Sequence, residues 1–320
     1  MSLVSKSDDD NSVGLLRERA TFIGAIRTFF SERNVLEVET PILSTAATTD
    51  PHIDSFSTET ATGIPLYLQA SPELFMKRLL SAGTGPIFQL APVFRSEEAS
   101  PHHNPEFMML EWYRPDFTME QLMDEVEELV SNFVDLPSIE RFTVAEAFQQ
   151  VVGIDDLLST TAEQLKDVAV AMGLPSAGEM ELEWDGWIDY FLVLAVIPRL
   201  SHAAFFLTHY PSSQAALARI SPDDPRVAER FELMLNGIEI ANGFRELTDA
   251  AEQRKRFERE LGMRAEDGMD IVPIDMKFLA AMEDGLPECS GVAVGVERLM
   301  MVSMGKEHIS EVMPFPYQSV

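Results

Sequence analysis

The sequence predicts an α+β fold built on antiparallel hairpins, and three stretches point to it. Ile87 to Phe94, IFQLAPVF, reads as a buried strand and Phe107 to Tyr113, FMMLEWY, as its partner, with a Ser/Glu/Pro/His-rich loop between them. Arg230 to Leu247, RFELMLNGIEIANGFREL, places Asn236 and Gly237 between alternating apolar residues, a strong hairpin signal because that pair tolerates positive φ. Ser290 to Met301, SGVAVGVERLMM, reads as a glycine-punctuated strand running into a helix.

The remaining elements follow in chain order. The leader MSLVSKSDDDNS is acidic and has no apolar core, so it is neither a signal peptide nor a membrane anchor, and residues 1–14 are expected to be disordered. Phe29 to Ser44, FFSERNVLEVETPILS, looks like a helix end followed by a strand that stops at Pro41. The run YFLVLAVI at Tyr190 reads as a buried helix ended by Pro198, and it is far too short to span a membrane. With 320 residues, no linker and no internal repeat, the chain can bury a sizeable core. Its single cysteine, Cys289, excludes a disulfide framework within the chain, fits a reducing cytoplasm and reads as packing rather than chemistry.

The hairpin from Phe94 to Tyr113 holds the side chains suited to ATP. Arg95, leaving the first strand, can neutralise a phosphate with a bidentate fork, and Phe107, entering the second, can stack on a base. Taken alone, the same stretch is equally an ordinary hairpin with a solvated loop. In the second hairpin a turn at Asn236 and Gly237 makes Leu235 face Ile238 and Met234 face Glu239, so Glu232 and Glu239 project from one side. Two carboxylates so placed suit Mg²⁺, which takes one or two carboxylates plus waters and substrate phosphates. Arg298, in the first turn of the last helix, lies within reach of any ligand that approaches the glycines before it.

Together, the helix-strand-Pro pattern at Pro41, the FR-x-E…HNPEF hairpin and the Gly-x-Gly-x-Glu-Arg segment resemble motifs 1, 2 and 3 of class II aminoacyl-tRNA synthetases, in that order. ASPELFMKRLL at Ala70, HNPEF at His103, FFLTHYPSSQAALAR at Phe205 and NGFRELTDAAEQRKRF at Asn242 are similar to the lysyl-tRNA synthetase branch. The resemblance runs from about Leu15 to the end, and it implies a mostly antiparallel sheet of about six or more strands flanked by helices. It implies one catalytic domain over 15–320, with a helical insertion over about 138–201 where the motifs are silent. Because motif 1 begins after a short leader, no anticodon-binding domain is expected, and such freestanding cores resemble the bacterial elongation factor P–lysine ligases. That family attaches (R)-β-lysine to a lysine side chain of elongation factor P. Motif 1 further implies a homodimer.

The resemblance also implies roles for individual residues. Arg95 and Arg298 are the catalytic candidates, with Arg95 on the α-phosphate; Ser96, Glu97, His103, Asn104, Phe107, Glu239, Ile240 and Gly295 complete the ATP set. Glu97 would hold the adenine amino group, Phe107 and Arg298 would sandwich the ring, and His103 and Asn104 would assist at the phosphates. Glu232 and Glu239 would carry Mg²⁺. Glu73, Glu111 and Glu246 match positions that hold the two ammonium groups of lysine, helped by Tyr113, with Ser71, Pro72, Asn242, Phe244 and Ala293 lining the same pocket. A diamine substrate follows, (R)-β-lysine or lysine, since a pocket this acidic repels acidic amino acids.

Three positions depart from the lysyl-tRNA synthetase pattern. Ala293 stands where a glycine is usual, which adds a methyl beside the substrate backbone and favours a β-amino acid. Pro101 and His102 stand where an arginine is typical, and Ser96 replaces an asparagine. With 24 basic and 53 acidic residues the net charge is −29, which disfavours a large tRNA surface. Two other readings compete: a truncated lysyl-tRNA synthetase-like enzyme that acylates tRNA or a small molecule, and a non-catalytic paralogue. The first requires a basic acceptor surface and the second decay of the ATP residues, neither of which the sequence has.

Overall fold

The computed structural model describes residues 6–96, 100–136, 138–201 and 204–320, with side chains from Val13 onward. The chain forms two compact units, Met1–Asp135 with Thr248–Val320, and Leu136–Leu247. Its order begins with α1 (Lys6–Glu32), the short strands β1 (Leu36–Glu37), β2 (Leu43–Ser44), β3 (Ser57–Glu59) and β4 (Pro65–Leu68), and then α2 (Glu73–Ser81). The hairpin β5 (Ile87–Phe94) and β6 (Glu106–Pro115) and the helix α3 (Met119–Val130) complete this first part. The second unit runs β7 (Ile139–Thr143), α4 (Val144–Val152), α5 (Ala162–Ala171), α6 (Trp184–Phe191), α7 (Ile197–Leu200), β8 (Ala204–Thr208), β9 (Arg230–Leu235) and β10 (Ile238–Arg245). The chain then returns to the first unit with α8 (Ala250–Glu266), α9 (Met276–Gly285), β11 (Cys289–Gly295) and α10 (Val296–Ser303).

In the first unit the strand order is β1-β5-β6-β11, parallel at β1 and antiparallel elsewhere. The register pairs Phe94 with Glu106 at the loop end and Ile87 with Tyr113 at the other. Because side chains alternate across a strand, this pairing sorts the sequence onto two faces. Phe88 and Trp112 take one face and pack on Phe30 of α1, with ring centroids 4.5 and 5.2 Å away. Gln89, Ala91, Val93, Phe107, Met109, Glu111 and Ala293 take the other. The side of the sheet that carries the candidate residues is thus set by which residues α1 buries.

α1 starts inside the stretch expected to be disordered, since residues 6–14 are already helical. A run of Asp, Ser and Asn lacks the apolar pattern from which the helix could have been read. α3 follows the expected logic of a helix start: Thr118 accepts from the Gln121 N–H and Gln121 returns a bond to Thr118.

In the second unit the order is β7-β8-β9-β10, with β7 parallel to β8 and the rest antiparallel. The stretch 138–201 opens on the strand β7 and then carries the helices α4 to α7. Trp187, Phe191, Phe148 and Val196 lie at the centre of their core, joined by Phe205 and Leu207 of β8. Pro198 does not end the run at Tyr190. The helix loosens into a π turn over Leu192–Val196 and continues without a break into α7, so Pro198 lies within a helical run whose hydrogen-bond ladder is relaxed just before it. At the β9–β10 turn Asn236 and Gly237 have φ of 52° and 77°, and Leu235 pairs with Ile238 and Met234 with Glu239, as their sequence requires. Beyond that a bulge at Ile240 moves Asn242 opposite Glu232.

Candidate functional site

In the first unit the diamine candidates form one hydrogen-bonded cluster. α2 begins directly after Ser71 and Pro72, so Glu73 stands in its first turn, and the Ser71 hydroxyl accepts from the Glu73 N–H at 3.0 Å while donating to Glu111 at 2.8 Å. The Tyr113 hydroxyl donates to the other Glu111 oxygen at 2.5 Å. Glu111 is only 2% exposed. Burial, reinforced by the charge of Glu73, raises its pKa to about 8 against the opposing effect of the Tyr113 and Ser71 bonds and of Lys77. Lys77, one helical turn after Glu73 and 1% exposed, donates to it at 2.7 Å. A protein ammonium thus faces Glu73, while Glu111, buried beside it, is the acid whose proton is held to higher pH.

Two members of this cluster are not among the site residues expected from the sequence. Lys77 reads in sequence as one charge on a helix, although its i+4 spacing from Glu73 is a legible signal. Gln89 is paired with Glu111 across the β5–β6 ladder and is buried, and its amide oxygen has no hydrogen-bond partner among the described residues. Only the register reveals it. Ala293 stands on the opposite flank of Glu111, paired with it from β11, and packs with Phe107 against Ala91, Val93 and Met109.

The nucleotide candidates sit at the loop end of the same face. Arg95 leaves β5 with its N–H bonded to the Pro105 carbonyl at 2.9 Å, and its guanidinium lies 5.4 Å from the Phe107 ring centroid. Ser96 donates its N–H to the Asp54 carbonyl at 2.9 Å. Glu97 lies outside the described residues. α10 is held against β6 by Glu297, which accepts from the Met108 N–H at 2.9 Å and from Arg19 of α1 at 2.7 Å. This presents Arg298 to the β5–β6 loop, where it donates to the His102 carbonyl at 3.2 Å and meets His103 Nε2 at 2.6 Å. His103 Nδ1 is 2.7 Å from the Ser100 hydroxyl. The pKa of His102 is lowered by burial, with Arg298 and His308 adding to the effect. A Cβ on Gly295 would touch the Arg298 stem at 3.5 Å, so the glycine leaves open the surface beside that stem. Asn104 spends both ends of its amide within the protein, donating to the Glu106 carbonyl at 2.6 Å and accepting from the Tyr317 N–H at 2.9 Å.

In the second unit Glu232 is the centre of a partly buried network. It accepts from Tyr210 at 2.7 Å, from Arg230 at 2.5 Å and from Asn242 at 3.3 Å. Arg230 also bonds the Gln214 carbonyl at 2.8 Å and stacks on Tyr210 at 4.4 Å. Burial and the charges of Glu232 and Glu239 push the Tyr210 hydroxyl well above its usual pKa, and Glu232 and Glu239 keep Arg230 charged although burial opposes it. Glu239 therefore belongs to the same electrostatic cluster. Sequence reading missed Tyr210 and Arg230, the two residues that hold Glu232. Ile240 is buried in the bulge, and the Asn242 amide oxygen is buried without a hydrogen-bond partner among the described residues. Phe244 packs on Ala215, Ala218 and Ala228, and Glu246 is 1% exposed.

The fit to Mg²⁺ can be judged from these contacts. Three donors occupy Glu232, leaving about one of the four acceptor positions of a carboxylate. No group of three His, Cys, Asp or Glu side chains among the described residues could hold a metal by itself. A cation that takes only one or two carboxylates and completes its shell with water and phosphate is the kind this arrangement suits.

A buried acid cluster and an arginine–aromatic pair on one face of an antiparallel sheet are what the class II aminoacyl-tRNA synthetase fold provides. The chain belongs to the family of class II tRNA synthetases of the D, K and N type, whose model matches residues 6–319. Among its curated relatives is an elongation factor P–(R)-β-lysine ligase of Proteus mirabilis, 47% identical over 322 residues that cover 99% of each chain. Ligases of the same name from Sodalis glossinidius and Photorhabdus laumondii are 48% and 45% identical, covering 94% and 98% of both chains.

Proposed function

We propose that the chain is an ATP-dependent ligase that activates (R)-β-lysine as its adenylate and transfers it to a lysine side chain of elongation factor P. The observation that carries the reading is the buried Ser71–Glu73–Glu111–Tyr113 cluster, whose acidity suits a diamine. It stands in a chain 47% identical along nearly its whole length to a ligase of that name.

In the first step an oxygen of the substrate carboxylate bonds to the α-phosphorus of ATP, and the bond to the bridging oxygen breaks to release pyrophosphate. The carboxylate is already ionised, so the step asks for alignment and charge neutralisation rather than a general base. Arg95 meets the α-phosphate, while Phe107 and Arg298 hold the adenine ring, with Ser96, Glu97, His103, Ile240 and Gly295 completing the nucleotide set. Bound Mg²⁺ supplies Lewis-acid neutralisation of the phosphates. Glu232 and Glu239 are the carboxylates that would hold it, Glu232 through its remaining acceptor position. Glu73 and Glu111 take the ammonium groups of the diamine; the candidates that the second unit offers for it by similarity are Glu246, Asn242 and Phe244. The Ala293 methyl selects the β-amino isomer.

In the second step the neutral amine of the acceptor lysine attacks the acyl carbon, AMP leaves, and the amine loses a proton to form the amide. The net charge of −29 draws a basic acceptor loop and opposes binding of tRNA. Exposed apolar side chains at Leu36, Ile42, Leu43 and Ile64, around the motif 1 segment, support a homodimer. No helix among the described residues is long and apolar enough to cross a membrane, and the buried Cys289, which forms no disulfide, fits the cytoplasm as the site of action.

ATP–pyrophosphate exchange tests the activation step. Exchange driven by (R)-β-lysine, weaker with α-lysine and absent with aspartate, is the expected outcome. Exchange that no diamine drives would overturn the reading.

A further inference from the structure

We infer that the segment 309–320 is a positioning element for the nucleotide loop, acting through the backbone N–H of Tyr317 on the side chain of Asn104. The inference rests on the ATP-dependent reading above and adds a component to that site.

The segment reaches the β5–β6 loop at two points. The Ile309 N–H bonds the Pro101 carbonyl at 2.7 Å, and the Tyr317 N–H bonds Asn104 Oδ1 at 2.9 Å. Its own anchors are Ile309 and Val312, both buried, after a turn in which Glu311 accepts from the His308 N–H at 3.2 Å. Beyond them the side chains contribute little packing, because Phe315 is 76% and Tyr317 57% exposed. What the outer half of the segment supplies is therefore a backbone donor at a fixed place.

That donor meets an amide already held at its nitrogen. Asn104 is 8% exposed and its amide nitrogen already bonds the Glu106 carbonyl at 2.6 Å. Tyr317 thus fixes the orientation of the Asn104 amide. The amide in turn ties the loop to the start of β6, one residue before Phe107. Next to it Pro105 accepts from the Arg95 N–H at 2.9 Å, and His103 meets Arg298 at 2.6 Å. Arg95, Phe107, His103 and Arg298 all attach to a loop pinned at Pro101 and Asn104. Loss of a pin should loosen ATP and leave the diamine cluster, which sits further along the strands at Glu111, unaffected.

Proline at 317 removes the one donor while keeping the chain path, since Tyr317 is the first residue of a 3-10 turn, a position where proline fits. Tyr317→Pro is expected to raise the KM for ATP about fivefold in ATP–pyrophosphate exchange, with the KM for (R)-β-lysine unchanged. Tyr317→Ala, which keeps the N–H and removes the exposed ring, should match the wild type. Asn104→Ala should raise the KM for ATP by a similar factor, and the double variant should go no further than either single one. Should Tyr317→Pro not fold, hydrogen exchange of the wild-type Tyr317 amide, protected there and unprotected in Asn104→Ala, answers the same question. An unchanged KM for ATP in Tyr317→Pro, additive effects in the double variant, or an unprotected wild-type amide would overturn the inference. A wild type with no ATP-dependent exchange would instead overturn the reading on which it rests.

Discussion

Binding of a diamine to a pocket whose buried acid is protonated must expel a proton, and this predicts a pH dependence of definite sign. With the Glu111 pKa at about 8, some nine-tenths of the free enzyme carries the extra proton at pH 7. A dication needs the ionised carboxylate, so affinity rises with pH until the pair is fully ionised. From pH 6.5 to 8.5 the ionised fraction grows about 25-fold, and the KM for (R)-β-lysine should fall by about that factor while the KM for ATP stays flat. Glu111 supplies one such proton. Titration calorimetry at pH 7 in buffers of different ionisation enthalpy should show release of close to one proton per diamine bound. Glu111→Gln should abolish both the slope and the release, with affinity reduced at every pH. A KM independent of pH between 6.5 and 8.5, or binding without proton release, would refute the reasoning.

Three other outcomes follow from particular contacts. The raised Glu111 pKa favours the fold fully below the ordinary carboxylate range, a contribution lost as pH rises through about 8, so the unfolding midpoint should decline over that window by more in the wild type than in Glu111→Gln. Ala293→Gly, which removes one methyl beside Glu111 in register, should shift the ratio of kcat/KM values toward α-lysine by about tenfold in exchange assays. Trp187→Ala empties a fully buried site in the helical core of the second unit and should cost about 3–5 kcal/mol in denaturant unfolding.

Much of this was legible in the residues because local and long-range signals agree. The β5–β6 hairpin is two apolar runs around a polar loop, and the Asn236-Gly237 pair sets its own register on either side. The bulge was not legible, since Ile240 continues the Ile238-Glu239-Ile240 alternation and nothing in its residue type marks an extra residue. Nor was the fate of Pro198, because a π turn relaxes the ladder just before it, and no residue type marks such a turn. The division at 135/136 and 247/248 falls within evenly mixed composition. At the candidate site, motif position singled out Glu73, Glu111 and Tyr113 among many glutamates, whereas Gln89 depended on strand pairing and Tyr210 on the path of the chain after β8. Asn104 was named from its motif, but its bonds to the Glu106 carbonyl and the Tyr317 N–H are contacts that motif position does not show.

The most direct test of the central claim is the intact mass of elongation factor P after incubation with this protein, ATP and Mg²⁺, comparing (R)-β-lysine with α-lysine and supplying tRNA as a parallel acceptor. The account predicts one lysyl-sized mass gain on the protein, greatest with (R)-β-lysine and lost in Arg298→Ala. An unchanged mass with label on tRNA, or on neither acceptor, would contradict it.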